Sequence, residues 1–267
     1  MDDIYRRQIQ IFIFVLSITF LCLSYDLFAQ TLTPTRLVDA PTAGSIPGKS
    51  LLMETCLFDG GGVVQTIGIG VTELLGVGVS YGGAGIVGAG KVTWQPHVAF
   101  QVRVRIIEET ERNPALAIGF DSQGFGPFAR GSNLNRFRTK SRGAYLVLSR
   151  NYKLFGDLGF HGGVNFSLET DDGDEDPSFW AGIDKNIGSN FDICAEYDFA
   201  TNDNEDETIT ADRGYLNGAV KWHIGTAFML ELDVKNILRN TKKDIAGFID
   251  ERPEPSRELR FTYRRSF

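Results

Sequence analysis

The chain has 267 residues, with 27 Lys+Arg against 34 Asp+Glu and a formal net charge of −7. That acidity argues against nucleic acid as a partner, because holding phosphates needs surplus positive charge. Thirty Gly, twenty Phe and eight Tyr argue against a helical fold, since glycine costs about 1 kcal/mol in a helix interior and aromatics favour strands.

Residues 1–29 read as an export signal: Arg6 and Arg7 precede an apolar run over 11–23, and Ala29 offers a small residue for cleavage. The run is shorter than the ~20 residues of a spanning helix, and Leu21 before Cys22 is bulky for lipoprotein processing. Residues 30–49 carry Pro34, Pro41 and Pro47, which disfavour a long ladder strand, so they are expected to lie in the periplasm or plug a lumen.

From residue 50 onward, strands are expected near 50–58, 63–71, 75–84, 97–108, 114–122, 143–150, 157–169, 178–186, 190–200, 215–224, 227–237 and 258–267. Their side chains alternate apolar and polar, as in VAFQVRVRIIEE from Val98 and FDICAEYDFA from Phe191. A soluble sandwich and a transmembrane barrel both give this pattern. The length of about ten residues per strand suits a tilted bilayer crossing. Connections also sort by parity, short ones such as Gly188-Ser189-Asn190 alternating with long ones over 124–142 and 238–257; only the first hairpin, through Asp59-Gly60-Gly61-Gly62, is short where a long loop is expected. The expected fold is therefore all-β: a closed, antiparallel, up-and-down outer-membrane barrel of twelve strands over 50–267, in a Gram-negative cell.

The stretch GVGVSYGGAGIVGAGKVT from Gly76 holds most of a phosphate-loop pattern in Gly85, Gly90 and Lys91. Val92 stands where that loop needs Ser or Thr, and Trp94-Gln95-Pro96 leaves no room for the supporting helix. Parity instead turns Val77, Val79 and Tyr81 to lipid and Gly76, Gly78, Ser80 and Gly82 to the lumen, followed by a loop.

The same parity places Arg103, Arg105, Asp192, Glu196, Asp198, Glu231, Asp233, Lys235, Arg260 and Arg264 inside. Isolated charges in a small barrel are costly, so a paired network filling the lumen is expected, with an open polar channel as the alternative. Cys56 and Cys194 also face inward, but from strands that are not neighbours, so no disulfide is expected between them. His161 and Ser167 share the lumen face and raise a lipid hydrolase, yet six residues of one strand separate them by roughly 20 Å. The acidic runs ETDDGDED from Glu169 and DNEDETITAD from Asp203 have no known calcium-loop spacing and read as solvated loops. No cofactor or metal is implied. At the end, Phe261, Tyr263 and Phe267 share one face of the last strand, resembling the insertion signal of outer-membrane proteins; Arg265 departs from it. The partners expected are outer-membrane lipid, lipopolysaccharide and the barrel-assembly machinery.

RIIEET at 105–110, PALAIGFDSQGFGPF at 114–128 and GAYLVLSRNY at 143–152 resemble the YjbH-like family of outer-membrane proteins, in which a P-x-[IL]-A-x-G strand precedes a Gly-rich turn. Gly143-Ala144-Tyr145 stands where that family tends to have an acidic residue before Tyr. The resemblance implies a single-barrel, non-enzymatic relative assisting export or surface assembly of an exopolysaccharide, and it carries over no catalytic residue. A passive pore for small solutes is the main alternative.

Overall fold

The computed structural model describes residues 34–130, 135–204, 210, 213–240 and 255–267. The expected export signal, residues 30–33 and much of the acidic run from Asp203 lie outside the described residues. In chain order the strands are β1 (Ser50–Phe58), β2 (Gly62–Gly70), β3 (Leu75–Ala84), β4 (Thr93–Trp94), β5 (Ala99–Ile107), β6 (Ala115–Asp121), β7 (Phe125–Arg130) and β8 (Asn135–Thr139). They continue with β9 (Gly143–Lys153), β10 (Asp157–Phe166), β11 (Ser178–Ile187), β12 (Phe191–Asp198), β13 (Tyr215–Ile224), β14 (Phe228–Lys235) and β15 (Ser256–Ser266).

Twelve of these close a ring in which every neighbour is antiparallel, β15 pairing with β1 from Leu57↔Leu259 to Ser50↔Ser266. The short β4 extends the edge of β3, and β7 with β8 forms a separate hairpin. The ring leaves no strand edge exposed to lipid, which is the condition for β structure in a bilayer. Its burial pattern inverts that of a soluble protein: Phe100, Leu232 and Phe261 are exposed outside, while Glu231, Arg260 and Asn165 are buried inside. Aromatic pairs mark the two rims, Tyr152 with Phe160 and Phe191 with Trp222 at the end bearing the short turns, and Tyr81 with Trp94 and Tyr197 with Phe199 at the other. Such rings sit at the headgroup levels.

Each expected strand has its counterpart, with local corrections. The hairpin β7–β8 lies inside the stretch 124–142 read as a long connection, because its few residues per strand and Pro127 give no usable period. The seventh barrel strand stops at Phe166, so Ser167 lies beyond it. Tyr263 shares the outward face with Phe228, their rings 4.9 Å apart, and is buried there, whereas Phe261 is exposed as expected.

The glycine run is a loop laid on the first hairpin. The turn from β1 to β2 needs φ of +70° at Gly60 and +68° at Gly61, conformations that only glycine adopts freely. The N–H groups of Gly85 and Val87 donate to the carbonyls of Gly60 and Gly61 at 3.0 and 2.9 Å. A Cβ on Gly61 would stand 2.0 Å from the Val87 oxygen. No helix follows, so these glycines serve close backbone approach and hold no phosphate.

Candidate functional site: a plugged lumen

Residues 34–48 fill the lumen. The chain enters at the short-turn end, bends at 37–40 with Leu37 N–H donating to the Ala40 carbonyl at 2.8 Å, and returns to β1. It has little structure of its own, a single bridge between Arg36 and Pro41, and Leu37, Val38, Ala40, Thr42 and Ala43 are all buried. Small wall residues make room for it. Ala40 and Ala43 pack with Ala115, Ala117, Tyr145, Val147 and Trp180, and Leu37 and Val38 pack with Cys194 and Ala219.

Wall side chains satisfy the backbone of this segment. Glu196 accepts the N–H groups of Val38 (2.8 Å), Asp39 (3.0 Å) and Ala40 (2.8 Å), and the Asn217 amide at 2.9 Å. Lys221 donates to the carbonyls of Arg36 and Leu37 at 2.9 and 2.6 Å. Arg103 donates to those of Thr35 and Gly44 at 2.6 and 2.8 Å, and to the Tyr145 hydroxyl at 2.9 Å.

Two plug charges enter clusters of opposite sign. Arg36 pairs with Glu231 at 2.8 Å and Glu54 at 2.7 Å. Asp39 pairs with Lys235 at 2.6 Å and Arg260 at 2.9 Å. Arg260 also lies 2.9 Å from Asp233 and 2.8 Å from Glu258, and Lys235 reaches Glu258 at 3.1 Å. Buried charges of both signs thus neutralise one another, the arrangement that keeps charge inside a narrow lumen tolerable.

Of the expected lumen charges, Arg103, Glu196, Glu231, Asp233, Lys235 and Arg260 meet around the plug. Asp198 lies further along β12 and pairs with Arg142. Arg105, Asp192 and Arg264 sit at the short-turn mouth: Arg105 reaches the Glu73 carbonyl at 3.1 Å, Asp192 the His223 ring at 2.6 Å, and Arg264 lines a pocket beside them. Arg36, Asp39, Glu54, Lys221 and Glu258 escaped the sequence reading. The parity that found their neighbours also points Glu54, Lys221 and Glu258 inward, but nothing in the residues around Arg36 and Asp39 says that they lie in a lumen.

His161 meets Ser149 and Asp184 rather than Ser167. Its Nδ1 lies 2.7 Å from the Ser149 hydroxyl and its Nε2 2.5 Å from Asp184. The three stand on the adjacent strands β9, β10 and β11, a hydroxyl–imidazole–carboxylate chain. Ser149 also accepts the Ala43 N–H at 2.8 Å, and all three residues are buried. The Ser149 hydroxyl thus links the plug backbone to His161 and Asp184, and the trio anchors the plug.

At the end with long connections, the hairpin β7–β8 is held by charge. Arg136 is fully buried and pairs with Asp172 and with Asp203 at 2.7 Å, while Lys140 reaches Asp172 at 2.8 Å. Burial pushes the Asp203 carboxyl up against the opposing pull of Arg136, and burial likewise raises Glu169, which accepts the N–H groups of Phe137 and Ser141. Glu169, Asp172, Asp174 and Asp203 are therefore built-in fasteners, a correction to the reading of both acidic runs as solvated loops, while Asp171, Glu175 and Asp176 are exposed as that reading expects. Among the described residues no group of three or more His, Cys, Asp or Glu is placed to hold a metal.

Between the plug and the wall of β1, β2, β3, β5 and β6 runs a crevice with a cavity volume of about 150 Å³. Its lining extends along β1 from Leu52 to Phe58 and ends beside Phe125 and Gly126.

No protein-family model matches the chain, and no curated protein matches it. Solved structures similar to it include the KdgM porin, at 13% identity and TM-score 0.49, covering 82% of this chain and 99% of that one. The outer membrane protein Omp33 of Acinetobacter baumannii is similar at 10% identity and TM-score 0.43, covering 80% and 96%. Neither likeness assigns an activity. The location follows from the molecule's own surface: a closed ring of strands, apolar outside, polar inside and rimmed by aromatics, sits in a Gram-negative outer membrane.

Proposed function

We propose that the protein is a non-enzymatic outer-membrane pore of small bore, which passes small polar solutes along the crevice beside its plug. The observation that carries this is the extent of the crevice. Its lining runs from Leu52 to Phe58 on β1, six residue steps or about 20 Å of strand. At a strand tilt of about 40° this is roughly 15 Å of height, more than half of the ~25 Å apolar band of an outer-membrane barrel. A volume of about 150 Å³ holds roughly ten waters, so the bore suits ions and small solutes. Four arginines (Arg36, Arg103, Arg142, Arg260) and four carboxylates (Asp39, Glu54, Asp121, Glu258) line it, which favours weak ion selectivity over strict sign selection. A lipid hydrolase is the weaker reading because Ser149 and His161 face the lumen and do not reach lipid.

Planar-bilayer recording tests the proposal. The purified, folded protein is expected to give small, weakly selective conductance steps that Thr66→Trp reduces, since Thr66 lines the crevice. Protein that inserts as a folded barrel and conducts no ions overturns it. Exopolysaccharide as the cargo rests on the resemblance to the YjbH-like family alone, and secreted glycan in a strain lacking the protein is the measurement that bears on it.

A further inference from the structure

The geometry points to the lumen wall as a peptide-binding site: we propose that residues 34–45 are a displaceable ligand held in cis, recognised chiefly through the main chain, and that they autoinhibit the barrel.

The wall reads backbone. Glu196 accepts three successive N–H groups, Lys221 and Arg103 each donate to two carbonyls, the Trp180 indole donates to the Pro41 carbonyl at 3.3 Å, and Ser149 accepts the Ala43 N–H. Backbone in a folded core normally finds its partners within its own secondary structure. This segment has one bridge and a few side-chain bonds of its own, from Arg36 to the Val38 carbonyl and through the Thr42 hydroxyl, and draws most of its remaining backbone partners from wall side chains, as a bound peptide does. Its register is set by two charges, Arg36 between Glu54 and Glu231, and Asp39 between Lys235 and Arg260.

Release needs no threading, because both ends of the segment lie at the same mouth. Pro34 lines a pocket there with His223, Ala227 and Arg264. At the other end Ser45 donates to the Glu73 carbonyl in the β2–β3 turn at 2.7 Å, and Lys49 N–H donates to the Gly70 carbonyl at 2.7 Å. Few apolar side chains hold the segment in, namely Leu37, Val38, Ala40, Pro41 and Ala43. The polar groups on both sides would be taken up by water on withdrawal.

A native thiol reports seating independently of any conductance. Cys194 lies under Leu37 and Val38 and is buried. In a Cys56→Ser background, a bulky membrane-impermeant maleimide is expected to label Cys194 slowly in the full chain. Labelling should rise on the order of tenfold or more in a variant lacking residues 34–45, because reaction then requires no plug opening. A synthetic peptide of residues 34–45 should restore protection in trans, and a scrambled peptide should not. Equal labelling with and without the segment, or no protection by the native peptide, overturns the proposal. Should the deletion variant fail to fold, full-length Glu196→Ala decides: faster labelling of Cys194 supports the site, and an unchanged rate overturns it. The inhibitory consequence rests on the pore reading, and the two separate cleanly. If labelling moves as expected while conductance stays absent in every variant, the peptide site stands and the pore reading falls.

Discussion

Replacing Arg260 by Met keeps the aliphatic stem and deletes the most connected charge in the lumen. Around the plug, Arg36, Lys221, Lys235 and Arg260 face Asp39, Glu54, Glu231, Asp233 and Glu258, four cations against five carboxylates. The substitution leaves three against five. Asp233 loses its one ion-pair partner among the described residues, while Asp39 and Glu258 must share Lys235. Stripping one partner from a buried pair costs about 3–5 kcal/mol. At an m-value of about 1–3 kcal/mol/M, the urea midpoint should fall by roughly 1–5 M. The assay is reversible urea unfolding of the barrel in phospholipid vesicles, followed by tryptophan fluorescence, with Trp180 buried in the lumen as the informative reporter. Adding Asp233→Asn removes the stranded carboxylate and should recover about 1 kcal/mol or more, a coupling that the cycle of single and double variants isolates. An unchanged midpoint for Arg260→Met, or strict additivity in the double variant, refutes the view that the network is neutralised by pairing.

Deleting Phe267 should lower the yield of folded, heat-modifiable barrel far more than deleting residues 30–34, because the Phe267 N–H still bonds the Lys49 carbonyl at 2.9 Å in the closing ladder. Thiol titration of the unreduced barrel over residues 50–267, after denaturation, should find both Cys56 and Cys194 free, as both are in the structure; a loss of both would place β1 against β12. Arg136→Gln should open the β7–β8 hairpin to protease on intact cells by removing the cation that Asp172 and Asp203 share and leaving Asp172 to Lys140, at a local cost of about 3–5 kcal/mol. It should leave the urea midpoint of the barrel in place, and a coincident fall of that midpoint would show that the hairpin and the ring unfold together.

The alternation of Phe191, Ile193, Ala195 and Tyr197 with Asp192, Cys194, Glu196 and Asp198 was enough to place a strand and to orient both of its faces. A strand that crosses a bilayer must show lipid one face along its whole length, so the constraint is written into neighbouring residues. The parity of connection lengths is equally local, and with it came the strand number, the closure of β15 on β1 and the separation of the two cysteines. Partner choice across strands is not local. His161 selects Ser149 and Asp184 through the registers of β9, β10 and β11, and Ser167, on the same face in sequence, lies past the end of the strand. The plug shows the limit most plainly. Residues 34–48 have no period of their own, and their three prolines fitted a periplasmic tail as well as an occupied lumen. Only the closed ring brings Glu196, Lys221, Arg103 and the cluster around Arg260 within hydrogen-bonding distance of one short stretch of backbone, because residues far apart in the chain become neighbours only when the twelve strands are rolled into a ring.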